Sequence, residues 1–145
     1  MLIADLEKVV ALEEEIFPDP WNYSAFKEQV EDENWGGYIA ESESGIIGYA
    51  CYYISVHEAH LTNIAVTEEF RRKSVAKLLL DNIFNVVKES KCEFLLLEVR
   101  PSNKSAITFY EKYDFKFLYQ RPRYYHNPIE DALVMVHYFE YDREE

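Results

Sequence analysis

Glycine, cysteine and long apolar runs are all scarce in this chain of 145 residues. Its 4 glycines and 5 prolines exclude collagen-like and low-complexity sequences. No apolar run approaches the roughly 20 residues of a membrane-spanning helix, and the amino terminus lacks the basic start and apolar stretch of a signal peptide. The two cysteines, Cys51 and Cys92, lie in apolar segments without metal-ligand or redox spacing. We therefore expect buried, reduced thiols in a cytoplasmic protein.

Positive charge is also scarce, because 15 Lys and Arg residues stand against 27 Asp and Glu, which gives a net charge of -12. Such a chain repels nucleic acids and anionic membranes and attracts a basic peptide. Hydrophobic residues make up 48% and aromatic residues 16%, a globular balance that predicts a core and a cleft both built with rings. The length predicts one domain over residues 1–145. The 4 histidines are scattered without ligand spacing, so we expect no metal.

Four segments repeat apolar residues at helical spacing. The first helix is predicted to end near Pro18, with Glu13, Glu14 and Glu15 on its polar faces. The others are a short helix capped by Asn22, a long helix over 73–89, and a helix capped by Ser102 or Asn103 that runs to Tyr110.

Strands are predicted over residues 38–41, 46–54, 60–66, 94–99, 115–119 and 132–139. The segment Phe94–Val99 is so apolar that we expect a central strand covered on both faces. Since helices and strands interleave, the fold class is α/β or α+β, with a mixed central sheet flanked by helices. The polar tail, residues 141–145, is expected to fray.

The basic turn after strand 60–66 is the one place where this acidic chain clusters positive charge, with Arg71, Arg72, Lys73 and Lys77. Free N–H groups at the start of a helix, together with the helix dipole, bind anions. A strand, a basic turn and a long helix in this order therefore predict a phosphate site. A solvated surface is the alternative on charge alone.

The turn Arg71-Arg72-Lys73-Ser74-Val75-Ala76 resembles the pattern Arg/Gln-x-x-Gly-x-Gly/Ala with which the GNAT family of N-acetyltransferases binds the pyrophosphate of acetyl-CoA. Residues 97–115 resemble the Leu-Glu-Val-Arg…Ser-Asn…Ala-Ile…Tyr…Gly-Phe signature of the ribosomal-protein-alanine N-acetyltransferases, and segments 17–21, 61–66 and 123–135 agree in order. The resemblance covers nearly the whole chain. It implies a single-domain GNAT fold and direct transfer of acetyl from acetyl-CoA to the N-terminal alanine of a small-subunit ribosomal protein.

The chain departs from the family pattern in three places. Ser74 stands where the family usually has Gly, which adds a Cβ at the phosphate contact. A right-handed helical φ would accommodate it, and its hydroxyl is able to donate to phosphate. Asp114 replaces the Gly before Phe115, a position where Asp tolerates a left-handed conformation. The chain begins almost at the first helix, so we expect the family's first strand to be missing or very short and one sheet edge to be exposed.

The resemblance also implies a cofactor site. Residues Ile64, Ala65 and Val66 match the strand edge that pairs with the pantetheine arm, where a backbone N–H would polarise the thioester carbonyl. Their side chains are otherwise ordinary core residues. The pyrophosphate loop comprises Arg71, Arg72, Lys73, Ser74, Val75, Ala76 and Lys77. Asn103 matches a cofactor-contacting position and is explained nearly as well as a helix cap.

Glu98 is unusual because a carboxylate inside an apolar strand is costly unless it is paired or wet. An ion pair with Arg100 or another cation is one explanation from the residues alone. In the resembling family the matched Glu is the general base that deprotonates the acceptor ammonium, and the Tyr matched by Tyr110 is the general acid for the departing CoA thiolate. The alternative for Tyr110 is a core tyrosine.

Aromatic segments 17–23 and 123–125 are expected to line the acceptor groove, with Trp21, Tyr23, Tyr124 and Tyr125 as substrate-binding residues. The acidic surface suits the basic N-terminal peptide of a ribosomal protein. Acetylation of a lysine or of a small amine, and a degenerate member that binds CoA without turnover, are the alternatives. We expect a monomer or weak homodimer without a nucleic-acid or membrane partner.

Overall fold

A computed structural model describes residues 1–141, so most of the predicted fraying tail, 142–145, lies outside the described residues. Six strands form one sheet in the order β1-β2-β3-β4-β6-β5. Their bounds are β1 (Trp35–Ser42), β2 (Gly45–Ile54), β3 (Glu58–Val66), β4 (Phe94–Val99), β5 (Lys116–His126) and β6 (Ile129–Tyr138). Only β3 and β4 are parallel neighbours within this sheet, which confirms the predicted mixed sheet.

Four helices flank the sheet: α1 (Leu6–Ile16), α2 (Tyr23–Glu31), α3 (Val75–Glu89) and α4 (Lys104–Glu111). Asn22 caps α2 as predicted, since its side chain accepts from the N–H of Ala25 at 2.9 Å. Asn103, rather than Ser102, caps α4. Helix α3 begins at Val75, two residues after the predicted start, because the basic turn itself is not helical.

Two hydrophobic clusters lie on opposite faces of the sheet. Helices α1 and α2 cover one face of β1–β3, around the fully buried Leu6, Phe26 and Tyr49. Helices α3 and α4 cover the other face in a larger cluster that reaches β4 and β6. Cys51 lies in the first cluster and Cys92 in the second, and both are free and buried, as predicted.

Strand β4 is covered completely on one face only. Leu95, Leu97 and Val99 are buried against the α3 side, whereas Phe94, Leu96 and Glu98 are partly buried on the other side. The prediction of a strand covered on both faces is therefore wrong. The reason is that the α1–α2 cluster packs on β1–β3 and includes no residue of β4.

The last two strands are longer than predicted, since β5 runs to His126 and β6 begins at Ile129. Pro122 interrupts the sequence pattern, but the β5–β6 ladder shifts register between Arg121 and Tyr125 and so accommodates it. The consequence for the site is that the Tyr124-Tyr125 segment belongs to a strand of the sheet rather than to a loop.

No strand precedes α1 among residues 1–141, where a first strand that is missing or very short was expected. In its place the ammonium of Met1 donates to the carbonyl of Gly37 at 2.8 Å, and a single 3₁₀ turn, Ile3–Asp5, leads into α1. Strand β1 is therefore one edge of the sheet and β5 is the other.

No helix between residues 1 and 141 is both long and apolar enough to cross a membrane. Over the same range, no three His, Cys, Asp or Glu side chains are placed together as metal ligands would be. Two of the histidines have protein partners: His60 lies 3.2 Å from Glu58, and His137 lies 2.7 Å from the carbonyl of Tyr113.

Candidate active site

A wedge between the parallel strands β3 and β4 is the central feature of the site. The two strands pair only over Glu58–His60 and Phe94–Leu96, and residues 61–66 and 97–99 form no pairs across the gap. A bulge lies near the start of this gap, since Thr62 is an extra residue in β3 opposite β2. The carboxyl-terminal halves of the two strands therefore leave backbone groups unpaired.

The predicted cofactor-binding edge of β3 borders this wedge. The N–H of Thr67 donates to Ile47 on β2 at 2.8 Å, and backbone groups alternate sides along a strand. Ile64 and Val66 therefore direct their N–H and C=O groups away from β2 and into the wedge, whereas Ala65 directs its own toward β2. The side chains of Ala65 and Val66 are buried, as the core alternative expected.

The basic turn has the backbone form of an anion site. Arg72 has φ 64° and Ser74 has φ 65°, both left-handed, on either side of Lys73. Alternation of this kind points successive N–H groups toward one concave side. Ser74 is the N-cap of α3 but makes no side-chain cap bond, which leaves the first-turn N–H groups without a cap. The right-handed φ that would accommodate Ser74 is not what the structure has.

Side chains of the turn mostly have protein partners. Arg71 donates through Nε to the carbonyl of Val66 at 3.1 Å, which fixes the turn to the end of β3. Lys73 lies 5.3 Å from the centroid of the Phe70 ring, and Lys77 lies 3.6 Å from Asp81. These cations supply positive potential, while the free backbone N–H groups supply directed hydrogen bonds for an anion.

Glu98 lies at the carboxyl end of β4 with its side chain 19% exposed. Its Oε1 accepts from Arg121 at 3.4 Å. The ion pair expected with Arg100 or another cation is therefore present with Arg121. Arg100 instead bonds to Glu130 at 3.3 Å and to the carbonyl of Pro128 at 2.9 Å. A single long contact to a half-exposed arginine leaves most of the acceptor capacity of the Glu98 carboxylate unused.

Tyr110 is buried in the cluster on the other face of β4, edge-on to Phe115 at 5.6 Å. The ring lies in the core, as the alternative explanation expected, and its hydroxyl makes no hydrogen bond to any residue of 1–141. Burial raises the pKa of Tyr110, and the neighbouring Tyr125 raises it further. The hydroxyl therefore keeps its proton at neutral pH and is available as a donor.

Tyr125 connects the two predicted catalytic residues. Burial, Tyr124 and Glu98 raise the pKa of Tyr125, and Tyr125 in turn raises the pKa of Tyr110. The ring centroids of Tyr124 and Tyr125 lie 5.0 Å apart, with an interplanar angle of 87°. Arg100 lies over Tyr125 at 4.2 Å and Arg121 over Tyr124 at 4.8 Å, so both rings are held by cation–π contacts. The pair forms an aromatic wall beside Glu98.

The other predicted acceptor residues are less closely placed. The Trp21 ring packs against Phe26 at 5.4 Å, and Tyr23 is 39% exposed at the start of α2. Neither ring pairs with Tyr124 or Tyr125 among the ring contacts of residues 1–141. The two segments are joined instead by Asp19.

Asp19 was not assigned a role from the sequence. Its Oδ2 accepts from the N–H groups of His126 at 3.3 Å and Asn127 at 3.1 Å, at the tip of the β5–β6 hairpin. The contact joins segments more than a hundred residues apart and bridges the two aromatic segments that were expected to line the groove. A carboxylate between Pro18 and Pro20 was the only sequence signal.

Asn103 behaves as a cap, since its Oδ1 accepts from the N–H of Ala106 at 3.3 Å, so any cofactor contact falls to its Nδ2. Glu130 holds the preceding turn by accepting from the N–H and the hydroxyl of Ser102, both at 2.8 Å. The Ser102 bonds and the Arg100 charge lower the pKa of Glu130. Sequence reasoning missed this tie, which fixes the start of the helix that carries Tyr110.

Glu13 is the second residue that sequence reasoning misplaced. It was expected on a polar face of α1, but it is 1% exposed. It accepts from the hydroxyl of Tyr49 at 2.6 Å, from Nδ2 of Asn63 at 3.1 Å and from the N–H of Trp21 at 3.2 Å. The signal was present in the sequence, because Glu13 follows Leu6 by seven residues and Val9 by four, and so shares their apolar face.

Comparison with known proteins identifies this arrangement. A family model described as the acetyltransferase (GNAT) family matches residues 6–115. A [ribosomal protein bS18]-alanine N-acetyltransferase from Haemophilus influenzae is 33% identical over 137 residues, which covers 92% of each chain.

Two solved structures share the fold. The ribosomal-protein-S18-alanine N-acetyltransferase from Escherichia coli has a TM-score of 0.90 and 26% identity and covers 99% of this chain and 94% of its own. NAA60 from Arabidopsis thaliana, solved in complex with acetyl-CoA, has a TM-score of 0.85 at 17% identity over 95% of each chain, a likeness that shows the fold alone. The expected GNAT fold is confirmed, and the chain belongs to the GNAT family of acetyltransferases.

Proposed function

We propose that the protein transfers acetyl directly from acetyl-CoA to the N-terminal α-amine of a protein, namely the N-terminal alanine of a small-subunit ribosomal protein. One observation carries this: the wedge between β3 and β4 is bordered by an anion-binding turn on the β3 side and by Glu98, with the Tyr124–Tyr125 wall, on the β4 side. That is the arrangement a reaction needs when an anionic carrier delivers a group to an amine.

The residues present fit acetyl-CoA. The backbone of Ile64 and the N–H of Val66 would pair with the amides of the pantetheine arm, since the Val66 carbonyl already accepts from Arg71, and the turn 71–77 would hold the pyrophosphate. Acetyl-CoA supplies an activated thioester when bound. A wedge-facing N–H of β3 stabilises negative charge on the carbonyl oxygen during attack.

Glu98 accepts the proton that the acceptor ammonium must lose before its nitrogen can attack. An α-ammonium has a pKa of about 8, so at neutral pH most acceptors are protonated and need a base. The carboxylate is suited to this because Arg121 engages only one of its oxygens, through one long contact.

Tyr110 donates a proton to the sulfur of the departing thiolate. Its raised pKa keeps the proton on the hydroxyl until that step, and no residue of 1–141 competes for it. Glu98 and Tyr110 approach from opposite faces of β4, so a thioester lying in the wedge is the place where both can act on one reaction.

The identity of the acceptor is supported by charge and by the relatives. The net charge of -12 favours a basic ribosomal tail, and the Haemophilus relative is named for action on ribosomal protein bS18. Trp21, Tyr23, Tyr124 and Tyr125, with the Asp19 bridge, would form the walls along which the peptide lies.

The test is to follow thiol release from acetyl-CoA with a basic peptide that begins with alanine. A matched peptide with the same lysines and a blocked α-amine is the control, and mass spectrometry locates the acetyl group. We expect thiol release with the free peptide only. Equal release with the blocked peptide would establish a lysine acceptor instead.

Binding without turnover is tested separately by thermal melting. Acetyl-CoA should raise the melting temperature because it binds only the native state, and acetyl-pantetheine, which lacks the pyrophosphate, should raise it less. A shift without thiol release from any amine would indicate a degenerate CoA-binding member, and no shift at millimolar acetyl-CoA would contradict the cofactor site.

A further inference from the structure

A buried carboxylate on α1 ties together three separate segments of the chain. Glu13 is the one charged side chain that is buried in the described part of the chain. Its donors come from β2 (Tyr49), from the bulge of β3 (Asn63) and from the loop after α1 (Trp21). No cation is among these donors.

Stability alone does not account for this network. Taking a carboxylate out of water is costly, and packed apolar residues of similar volume are often at least as stabilising. What the carboxylate provides is direction, because two oxygens accept from three donors at fixed distances of 2.6 to 3.2 Å. The network therefore fixes positions of the backbone.

The first arm fixes the bulge of β3. Asn63 donates through Nδ2 to both oxygens of Glu13, at 3.1 and 3.4 Å, and its Oδ1 has no partner within residues 1–141. The bonding of this side chain is thus directed entirely at Glu13. Asn63 follows the extra residue Thr62 and immediately precedes Ile64, whose backbone faces the wedge.

The second arm fixes the acceptor side. The N–H of Trp21 donates to Oε2 of Glu13, and Trp21 lies two residues after Asp19. Asp19 in turn holds the N–H groups of His126 and Asn127. A displacement of the Glu13 carboxylate would therefore be transmitted to both borders of the site.

We propose that Glu13 is a positioning residue for acetyl transfer: through Asn63 it sets the wedge-facing backbone of β3, and through Trp21 it sets the loop that holds the β5–β6 hairpin. The inference rests on the proposed function. Glu13 itself touches neither cofactor nor acceptor, and acts through two residues that border their sites.

The principal test compares Glu13→Gln with Tyr49→Phe. Glu13→Gln keeps the shape but replaces one acceptor oxygen with an N–H donor. At Oε2 it removes the Trp21 bond and the longer Asn63 bond, and at Oε1 it removes the Tyr49 bond and the shorter Asn63 bond, so the Asn63 arm is weakened in either case. Tyr49→Phe removes one donor and leaves both arms intact, and so is the matched control for a perturbed but correctly positioned core. Kinetics are measured well below the melting temperatures of all variants.

Glu13→Gln is expected to lower kcat/KM by roughly 10- to 100-fold, with KM raised for acetyl-CoA, and for the peptide as well where the amide nitrogen takes the place of Oε2, as small displacements of reacting groups do. The kcat/KM of Tyr49→Phe should stay within about threefold of the wild-type value, even where its melting temperature falls as far as that of Glu13→Gln. Wild-type kinetics in Glu13→Gln, or equal kinetic losses in both variants, would overturn the proposal.

Asn63→Ala provides a second route if Glu13→Gln folds poorly. It should reproduce the raised KM for acetyl-CoA, and the Glu13→Gln/Asn63→Ala double variant should lose much less than the product of the two single losses. Independent, multiplicative losses would contradict coupling through this arm.

Equilibrium binding of acetyl-CoA, measured by calorimetry, separates this inference from the proposed function. If the wild type binds acetyl-CoA but acetylates no peptide, the acceptor assignment fails. The Glu13 inference still predicts that binding weakens about tenfold in Glu13→Gln and is unchanged in Tyr49→Phe. Unchanged binding in both variants would refute the Asn63 arm by itself.

Discussion

Polar groups have several hydrogen-bond partners in the Glu13 network and few or none in the wedge. In the network a buried carboxylate accepts from a hydroxyl, an amide and a backbone N–H, all within 3.2 Å. In the wedge the Glu98 carboxylate has one contact at 3.4 Å, the Tyr110 hydroxyl has no bond to residues 1–141, and β3 leaves backbone groups unpaired. Both regions border the same strand, β3.

This difference distinguishes a carboxylate that fixes the positions of other groups from one that takes part in the reaction. A buried carboxyl whose oxygens accept from three donors on separate segments is held in one orientation, so Glu13 is suited to fix positions. A carboxylate with free acceptor capacity at the edge of a cleft is able to receive one, so Glu98 is suited to act as a base. Identical side chains thus acquire different roles from their surroundings.

Among the substitutions in the wedge, Glu98→Gln should have the largest effect on turnover. Removing the base should lower kcat by roughly 10²- to 10⁴-fold, while the melting temperature changes little because the Arg121 contact is long and half exposed. The loss should shrink at high pH, where an amine with a pKa of about 8 is already neutral. Turnover is measured by thiol release from pH 6 to 10.

The matched control is Arg121→Gln, which removes the partner and keeps the carboxylate. It should retain most of the turnover. Near-wild-type turnover in Glu98→Gln with a sharply lower melting temperature would mean that Glu98 is structural, and the contrast with Glu13 would disappear.

Tyr110→Phe should come next, with a fall in kcat of roughly 10²-fold. Raising the pH should not rescue it as it rescues Glu98→Gln, because the thiolate still leaves without a donor. The pH profiles of the two variants, recorded side by side, separate the two roles. Rescue of both with the same pH dependence would mean that Tyr110 does not supply the proton.

Glu13→Ala tests the other side of the comparison. It leaves three donors without a partner and creates a cavity, which should lower the free energy of unfolding by about 3 kcal/mol. Glu98→Ala should cost no more than about 1 kcal/mol. Urea denaturation of both variants measures this difference, and equal costs would break the comparison.

The pH dependence of the free energy of unfolding also reports on the burial of the Glu13 carboxyl. Burial raises the pKa of Glu13, against the hydrogen bonds from Tyr49, Trp21 and Asn63 that lower it. Folding therefore favours the protonated carboxyl, whose stabilising contribution is largest below about pH 4 and is lost as the pH rises through the folded-state pKa. The unfolding free energy of the wild type relative to Glu13→Gln should thus fall as the pH rises. A relative gain would mean that hydrogen bonding outweighs burial.

Much of the site could be predicted because its signals are local. The basic turn, the apolar strand with one carboxylate and the capped helix after it are each read within a few residues. The rest depends on contacts between distant segments. Glu13 meets residues 36 and 50 positions away, and Asp19 meets residues more than a hundred away. The φ of Ser74 is likewise set by the fold and not by its neighbours in sequence.

Ser74→Gly should have the smallest effect, and it probes the open end of the wedge. Ser74 has φ 65° and makes no cap bond, so it bears a left-handed conformation that costs a non-glycine residue about 1 kcal/mol. Glycine relieves this cost, partly offset by its greater freedom when unfolded, so the free energy of unfolding should rise by less than about 1 kcal/mol. Affinity for acetyl-CoA should be equal or better, because no Cβ stands at the phosphate contact. Asp114→Gly is the matched control: Asp114 has φ 61° outside the turn, so it should give a similar gain in stability with unchanged affinity. If Ser74→Gly weakens binding while Asp114→Gly does not, the Ser74 hydroxyl contacts the phosphate, and this end of the wedge is built with a side chain rather than with backbone alone.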